Sequence, residues 1–173
     1  DKDEFSPPYI MVAVKNVGKI PQRFAHKLSV PGRAQKELDA AIRGPMKDLL
    51  PDGYRLISAT FDTNLYAMRI EMEFQSEFGL LHVMVANFFT ERGTLEVTGL
   101  VRPSEYATWG KTFDQMIASV RFADWLQYQR RPAVNLSGGA TDWLFPISGV
   151  VILAVGGFLY IRFLRNRDSA SDY

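Results

Sequence analysis

LYAMRIEMEFQ, at residues 65–75, alternates apolar and polar side chains and is the clearest structural signal in the chain. Its apolar positions are Tyr66, Met68, Ile70, Met72 and Phe74, and the polar positions between them are Arg69, Glu71, Glu73 and Gln75. A repeat of two indicates a β-strand with one buried face. The next strand-like run covers residues 79–91. It contains GLLHVMVANFFT, which is apolar on both faces and therefore predicts a strand in the centre of the sheet.

Further strands are predicted on both sides of this pair, at residues 54–62 and 94–102. Short turns rich in Asp, Asn and Gly separate the four runs. Because connections this short join neighbouring antiparallel strands, the runs predict an antiparallel meander. Residues 8–17, PYIMVAVKNV, predict one more strand, in which Val12 and Val14 alternate with small or charged neighbours.

Two helices are predicted beside the meander. The first covers residues 32–50 and contains Pro45, which should kink or split it. Its apolar stripe consists of Leu38, Ile42, Met46 and Leu49. The second covers residues 104–118, and its predicted buried face consists of Tyr106, Trp109, Phe113, Met116 and Ile117. Residues 18–30 predict an irregular connection, and residues 119–122 predict a short closing strand.

Together these elements predict an α+β fold in residues 1–122. An antiparallel sheet meander would be flanked by two helices, in the manner of an α/β/α sandwich. Residues 123–142 have no sustained period and contain Pro132 and a Gly-Gly pair, so they predict a juxtamembrane tether. The chain begins at Asp1 without an apolar leader, which fits either a removed signal sequence or a start inside a longer protein.

Composition excludes several classes of function. The chain has 20 Lys and Arg against 19 Asp and Glu, so its net charge of +1 supplies no field that would attract nucleic acid. It contains no cysteine, which removes disulfides, thiolate metal ligands and cysteine nucleophiles. We therefore expect no nucleic-acid partner and no cofactor.

A transmembrane helix is predicted at residues 143–164. Its core, WLFPISGVVILAVGGFLYI, contains no charged residue over 19 positions. At about 1.5 Å per residue this run spans roughly 28 Å, close to the thickness of the hydrocarbon layer. Trp143 and Tyr160 stand near its two ends, where aromatic side chains anchor a helix in the membrane interface.

Basic residues predict the orientation of this helix. Arg162 and Arg165 follow the apolar run at once, and residues 165–173 form a short basic tail. The positive-inside rule places that tail in the cytoplasm and residues 1–142 on the outer side, which is the periplasm in a bacterium. Membrane lipid is therefore an expected partner.

Two groups of residues are candidate contacts with other proteins. Gly149 and Gly156 are seven positions apart and share a helix face, where small side chains let a partner helix approach closely; a lipid-facing helix with incidental glycines is the alternative. The second group precedes the membrane and consists of Trp125, Tyr128, Arg130 and Arg131. Aromatic and Arg side chains suit an interface or a headgroup contact, and the alternative is a segment that packs on the domain.

The sequence contains no convincing catalytic or metal site. Its two histidines, His26 and His82, are 56 positions apart and lack metal-ligand spacing. His82 is expected to be a hydrogen-bonded sheet residue. Glu71 and Glu73 share a strand face with Arg69, which predicts a solvated row of charges.

GTLEVTGLVRPSEYATWGKTFDQMIASVRF, at residues 93–122, consists of a strand, a proline-marked turn, an aromatic-rich helix and a Ser-Val-Arg-Phe ending. In this order of elements the chain resembles the PsbP, Mog1 and DcrB superfamily over residues 5–122. The resemblance implies a small α/β/α sandwich with a non-enzymatic accessory or assembly role. The chain departs from that family in lacking a Pro-x-x-Trp opening and in its membrane anchor.

The expected function is that of a non-catalytic accessory subunit or assembly and stability factor of an integral membrane protein complex. The alternative is a membrane-anchored binding module for a lipid or other apolar molecule. Six methionines, several of them on one strand face, would give such a pocket a compliant lining. An enzyme is the third possibility, for which the sequence offers no motif.

Overall fold

The computed structural model describes residues 7–44, 46–47, 50, 53–76 and 79–129. It contains one sheet with helices on both faces. In chain order the elements are β1 (Tyr9–Lys15), α1 (Gln22–Leu28), α2 (Arg33–Arg43), β2 (Arg55–Asp62), β3 (Ala67–Ser76), β4 (Gly79–Phe89), β5 (Thr94–Val101), a 3₁₀ turn (Pro103–Glu105) and α3 (Tyr106–Ser119).

The five strands form an antiparallel sheet in the order β1-β5-β4-β3-β2. The predicted meander is therefore confirmed, because β2 to β5 are neighbours in chain order. β4 is the central strand, as its apolar residues on both faces predict. β1 returns to the far edge of the sheet and pairs with β5.

The two faces of the sheet have separate cores, and the α+β prediction is confirmed. Alternate residues of β4 point to opposite sides. On one side Val85 and Phe89 pack with residues of α1 and α2, and on the other Phe88 packs with residues of α3. Phe88 and Phe89 are both buried, since each serves a different core.

The helices differ from the prediction on the α1–α2 face. Residues 22–28 form α1, where an irregular connection is predicted, because Phe24, Ala25 and Leu28 bury one side of a single helical segment. Seven residues are too few to show a helical period in the sequence. α2 ends at Arg43 and not at residue 50: the Gly44 N–H donates to the carbonyl oxygens of Ala40 and Ala41 and closes the last turn.

The segment after α3 also differs from the prediction. α3 continues to Ser119, and residues 120–122 form no strand in the structure. The Phe122 ring instead packs edge-to-face on Phe88, with 5.7 Å between ring centroids. Residues 123–129, assigned by sequence to the tether, continue along the domain, where Gln127 forms an isolated bridge with Thr90.

The predicted membrane helix lies outside the described residues. So do Arg130 and Arg131, the glycines Gly149 and Gly156, and the interface anchors Trp143, Tyr160, Arg162 and Arg165. Among the helices of the described ranges, none has the length and apolar character needed to cross a bilayer.

Candidate functional site

An apolar strip runs along β1, at the edge of the sheet. Ile10, Val12 and Val14 are 49%, 64% and 73% exposed. Their partners across the β1–β5 ladder are Gly99, Val97 and Leu95, which face α3. α3 packs over β4 and β5 and leaves these three side chains of β1 open to solvent. Ile10, Val12 and Val14 are called the β1 strip below.

A groove of about 230 Å³ lies between the β1 strip and α3. It is lined by Ile10, Met84, Gly99, Val101, Trp109 and Phe113. Gly99 permits the close approach of α3, because a Cβ at this position would lie 2.9 Å from Cδ2 of Phe113. Trp109 is predicted on the buried face of α3 but lies at the rim of the groove, 38% exposed, since the helix does not extend over β1.

The chemistry of the β1 strip suits an apolar, extended partner. None of its three side chains ionises or forms hydrogen bonds. Within the described part of the chain β1 pairs with β5 alone, so its other side is an edge of the sheet. An extended segment can add to such an edge, and its apolar side chains would then cover the strip.

A polar cluster around His82 lies on the same face of the sheet. Nδ1 of His82 is 3.4 Å from Oε1 of Glu73, and Nε2 is 3.6 Å from Oε2 of Glu71. The Tyr106 ring centroid lies 4.0 Å from that of the imidazole, and the Tyr106 hydroxyl donates a hydrogen bond to Glu71. A hydrogen bond from Arg55 holds the pKa of the Glu73 carboxyl below its usual value.

The two ring nitrogens of His82 differ in their contacts. Nδ1 is within hydrogen-bond distance of Glu73, whereas the buried Nε2 lies 3.6 Å from Glu71 and has no hydrogen-bond partner among the described residues. A general base needs a ring nitrogen directed at a substrate, and both nitrogens of His82 are directed at carboxylates of the protein itself. Those carboxylates lie on opposite sides of the ring, and the described ranges contain no group of His, Asp and Glu able to hold a metal ion. The predicted solvated row is wrong in one respect: Glu71 and Glu73 are half-buried, because Tyr106 packs against His82 beside them.

The structure separates Trp125 and Tyr128, which the sequence places on one surface. Trp125 is 61% exposed, and the Arg92 guanidinium lies 4.8 Å from its ring centroid. Tyr128 is 5% exposed and donates a hydrogen bond to the Ile20 carbonyl oxygen at 2.8 Å. Burial, assisted by the nearby Glu91 carboxylate, raises the pKa of Tyr128 to about 12. Tyr128 is therefore part of the domain, and Trp125 is available for contact.

Sequence reasoning missed the β1 strip as a surface. Both sets of alternate positions in β1 contain apolar residues, so the pattern does not say which set is buried. Lys15 shares a face with Met11, and this charge makes the valine face resemble the core-facing one. The choice depends on Glu96 of the neighbouring strand, which holds Lys15 on the inner face.

Comparison with protein-family models, with curated proteins and with solved structures finds no match to this chain. The resemblance to the PsbP, Mog1 and DcrB superfamily stays a prediction based on the order of elements.

Proposed function

We propose that this chain is a non-catalytic accessory subunit or assembly factor of a larger membrane protein complex. It is anchored by the helix predicted at residues 143–164, with its domain on the outer, periplasmic face of the membrane. The observation that supports this function is the β1 strip, an exposed apolar surface on an open sheet edge. Contiguous apolar surface of this kind marks sites of protein interaction.

The β1 strip is unusual for an edge strand. Soluble proteins protect open edges with charged side chains, proline or bulges. In β1 the only charged side chain, Lys15, points to the opposite face and pairs there with Glu96. Fully burying an exposed large aliphatic side chain contributes about 1.5–3 kcal/mol. The three strip residues are partly exposed, so each contributes less than this, and a partner that covers all three gains the sum.

The second candidate function is binding of a lipid or other apolar small molecule, and the groove beside α3 favours it. The groove is apolar and open at the rim, where Trp109 is exposed. Its 230 Å³ is smaller than the roughly 300–1,000 Å³ of typical ligand pockets. The β3 methionines Met68 and Met72 are buried in the opposite core and do not line it. A protruding side chain of a partner protein fits this volume better than a lipid does.

A charge in the β1 strip tests the proposal. The tagged full-length chain, either unchanged or carrying Val12→Glu, is solubilised from its native membrane in mild detergent, and the co-purifying complex is quantified. Burial of an unpaired carboxylate costs far more than about 1.4 kcal/mol, so partner recovery should decrease more than about tenfold. The matched control is Ile57→Glu, because Ile57 is an exposed apolar residue on β2, the other edge strand.

Two results would contradict docking at β1. One is equal partner recovery with Val12→Glu and with the unchanged chain. The other is an equal loss with Ile57→Glu, which would indicate a general effect of added charge. Native mass spectrometry tests the second candidate function. A small molecule that stays bound to the unchanged chain and is lost from the Trp109→Ala variant favours ligand binding in the groove.

A further inference from the structure

The chain leaves the described domain at one end of the sheet. The end of β1, the β4–β5 turn and residues 120–129 meet there. The Gln129 carbonyl oxygen accepts a hydrogen bond from Lys19 at 3.0 Å, just after β1. Two large apolar side chains, Val17 and Trp125, are exposed at this end. It is called the exit end below.

The exit end is a built surface, because backbone contacts fix its parts. The Gly18 N–H donates to the Arg92 carbonyl oxygen at 3.1 Å, which ties the end of β1 to the β4–β5 turn. The Glu91 N–H donates to the Leu126 carbonyl oxygen at 3.1 Å, which ties that turn to the segment containing Trp125.

Gly93 allows a close contact between the β4–β5 turn and the end of β1. Its φ is +154°, and a Cβ there would lie 1.9 Å from the Lys15 carbonyl oxygen, so only glycine lets the turn approach β1. The backbone segments that carry Val17, Arg92 and Trp125 are therefore held together at the exit end.

The length of the following chain limits how far this surface can lie from the membrane. Residues 130–142 are the only link between Gln129 and the predicted membrane helix. Thirteen residues reach at most about 45 Å when fully extended. The exit end is the part of the domain attached to this link, and Trp125 is 18 positions before Trp143.

The residue types at the exit end match the interfacial region of a bilayer. Tryptophan partitions there because its ring is apolar and its N–H needs a polar partner. Arginine places an apolar stem near the acyl chains and its guanidinium among phosphates. Arg92, Arg121 and Asp124 are exposed at this end, and the Glu91 carboxylate is paired with Lys19. Two more arginines follow directly in the sequence, at positions 130 and 131.

We propose that the exit end, formed by Val17, Arg92 and Trp125, lies against the headgroup layer of the membrane that holds the anchor. This inference depends on the membrane anchoring in the proposed function and is independent of docking at the β1 strip. The occupant is the bilayer surface and not a partner protein, because the short link attaches this end to the membrane.

Fluorescence of the full-length chain tests the contact. The protein is reconstituted into vesicles of phosphatidylcholine and phosphatidylglycerol, with or without a nitroxide on the phosphatidylcholine headgroup. A chain with Trp109→Phe and Trp143→Phe reports on Trp125 alone, and the nitroxide should remove most of its emission. The matched control, with Trp125→Phe and Trp143→Phe, reports on Trp109, which lies near the opposite end of β1 and should keep its emission.

A second reading avoids the tryptophan substitutions. The chain has no cysteine, so Val17→Cys accepts one polarity-sensitive dye in the otherwise unchanged protein. Its emission should shift to the blue on reconstitution. The control is Leu80→Cys, since Leu80 is an exposed apolar residue near the start of β4, at the far end of the sheet.

The outcomes separate this inference from the anchoring on which it depends. Equal quenching of Trp125 and Trp109, in protein that resists carbonate extraction, overturns the contact and leaves the anchor standing. Protein that carbonate releases from the vesicles overturns both. Quenching of Trp125 together with a blue shift at Val17→Cys supports the contact, whatever Val12→Glu does to partner recovery.

Discussion

At the scale of single residues, a buried ion pair decides which face of β1 is turned inward. Glu96 is almost fully buried in β5, with Lys15 Nζ 3.5 Å from its Oε2 and the Thr98 hydroxyl donating to its Oε1. Burial raises the pKa of Glu96, while the nearby Lys15 opposes that shift. Burial also lowers the pKa of Lys15. Each charge therefore depends on the other to remain ionised inside the protein.

Removing one partner should cost more than removing both. Lys15→Met leaves the Glu96 carboxylate buried and unpaired, and we expect it to lower the free energy of unfolding by about 3 kcal/mol at neutral pH. The double variant Lys15→Met, Glu96→Gln should recover most of that loss. Urea unfolding followed by tryptophan fluorescence is measured for the unchanged protein, for Lys15→Met, for Glu96→Gln and for the double variant. Additive losses from the two substitutions would show that the pair is not coupled.

In Lys15→Met the free energy of unfolding should also depend on pH, and the direction of that dependence follows from the raised pKa of Glu96. A raised carboxyl pKa means that the folded state binds the proton more tightly than the unfolded state does. The contribution of Glu96 to the free energy of unfolding therefore increases as the pH decreases through its raised pKa, and it levels off below 4.5, the ordinary value. Lys15→Met should show this rise relative to the double variant, and equal profiles would contradict it.

The carboxylates of β3 show why residue environments are harder to predict than strands. The alternation at residues 65–75 correctly puts Glu71 and Glu73 opposite the apolar face. It says nothing about α3, whose Tyr106 is 35 positions away in sequence from Glu71 but donates a hydrogen bond to it. Burial of a polar face by a distant helix is a tertiary property, and a period of two cannot reveal it.

At the scale of elements, strands are predicted better than helices because their period is short. Each of the five strands lies within two residues of its predicted bounds. α1 is missed because one face of a seven-residue helix contains only three apolar positions. α2 is predicted too long because its apolar stripe continues past Gly44 to Met46, which is buried although the helix has ended.

The packing of α3 on the sheet depends on the missing side chain at Gly99. A Cβ at this position would lie 2.9 Å from Phe113 and 3.3 Å from Met84, so the Phe113 ring or the helix that carries it must shift to admit it. We expect Gly99→Ala to lower the free energy of unfolding by about 1–3 kcal/mol, the usual cost of overpacking. Denaturant unfolding measures the loss. Adding Phe113→Leu should reduce it, and an additive double variant would show that the Phe113 contact is not its cause.

At the scale of the whole molecule, the two proposed surfaces fit one orientation. β1 ends at Lys15, next to the exit end, and begins at Tyr9 near the far end of the sheet. If the exit end lies on the headgroups, β1 extends away from the membrane and its strip faces sideways. A sideways strip meets a partner held in the same membrane, where both proteins share two dimensions and their effective concentration is high.

The last prediction concerns the predicted membrane helix. A membrane-held partner that docks at the β1 strip would also place one of its own helices beside this anchor. In that predicted helix Gly149 and Gly156 would share one face, and replacing both with Leu should prevent close helix approach and reduce recovery of the complex in mild detergent. The matched control is Val151→Leu with Phe158→Leu, a pair with the same spacing on the other side of the predicted helix. A chain that combines Val12→Glu with the two glycine substitutions should lose the partial recovery of the complex that each variant retains on its own. Full recovery with the glycine variant would assign the docking to the domain alone.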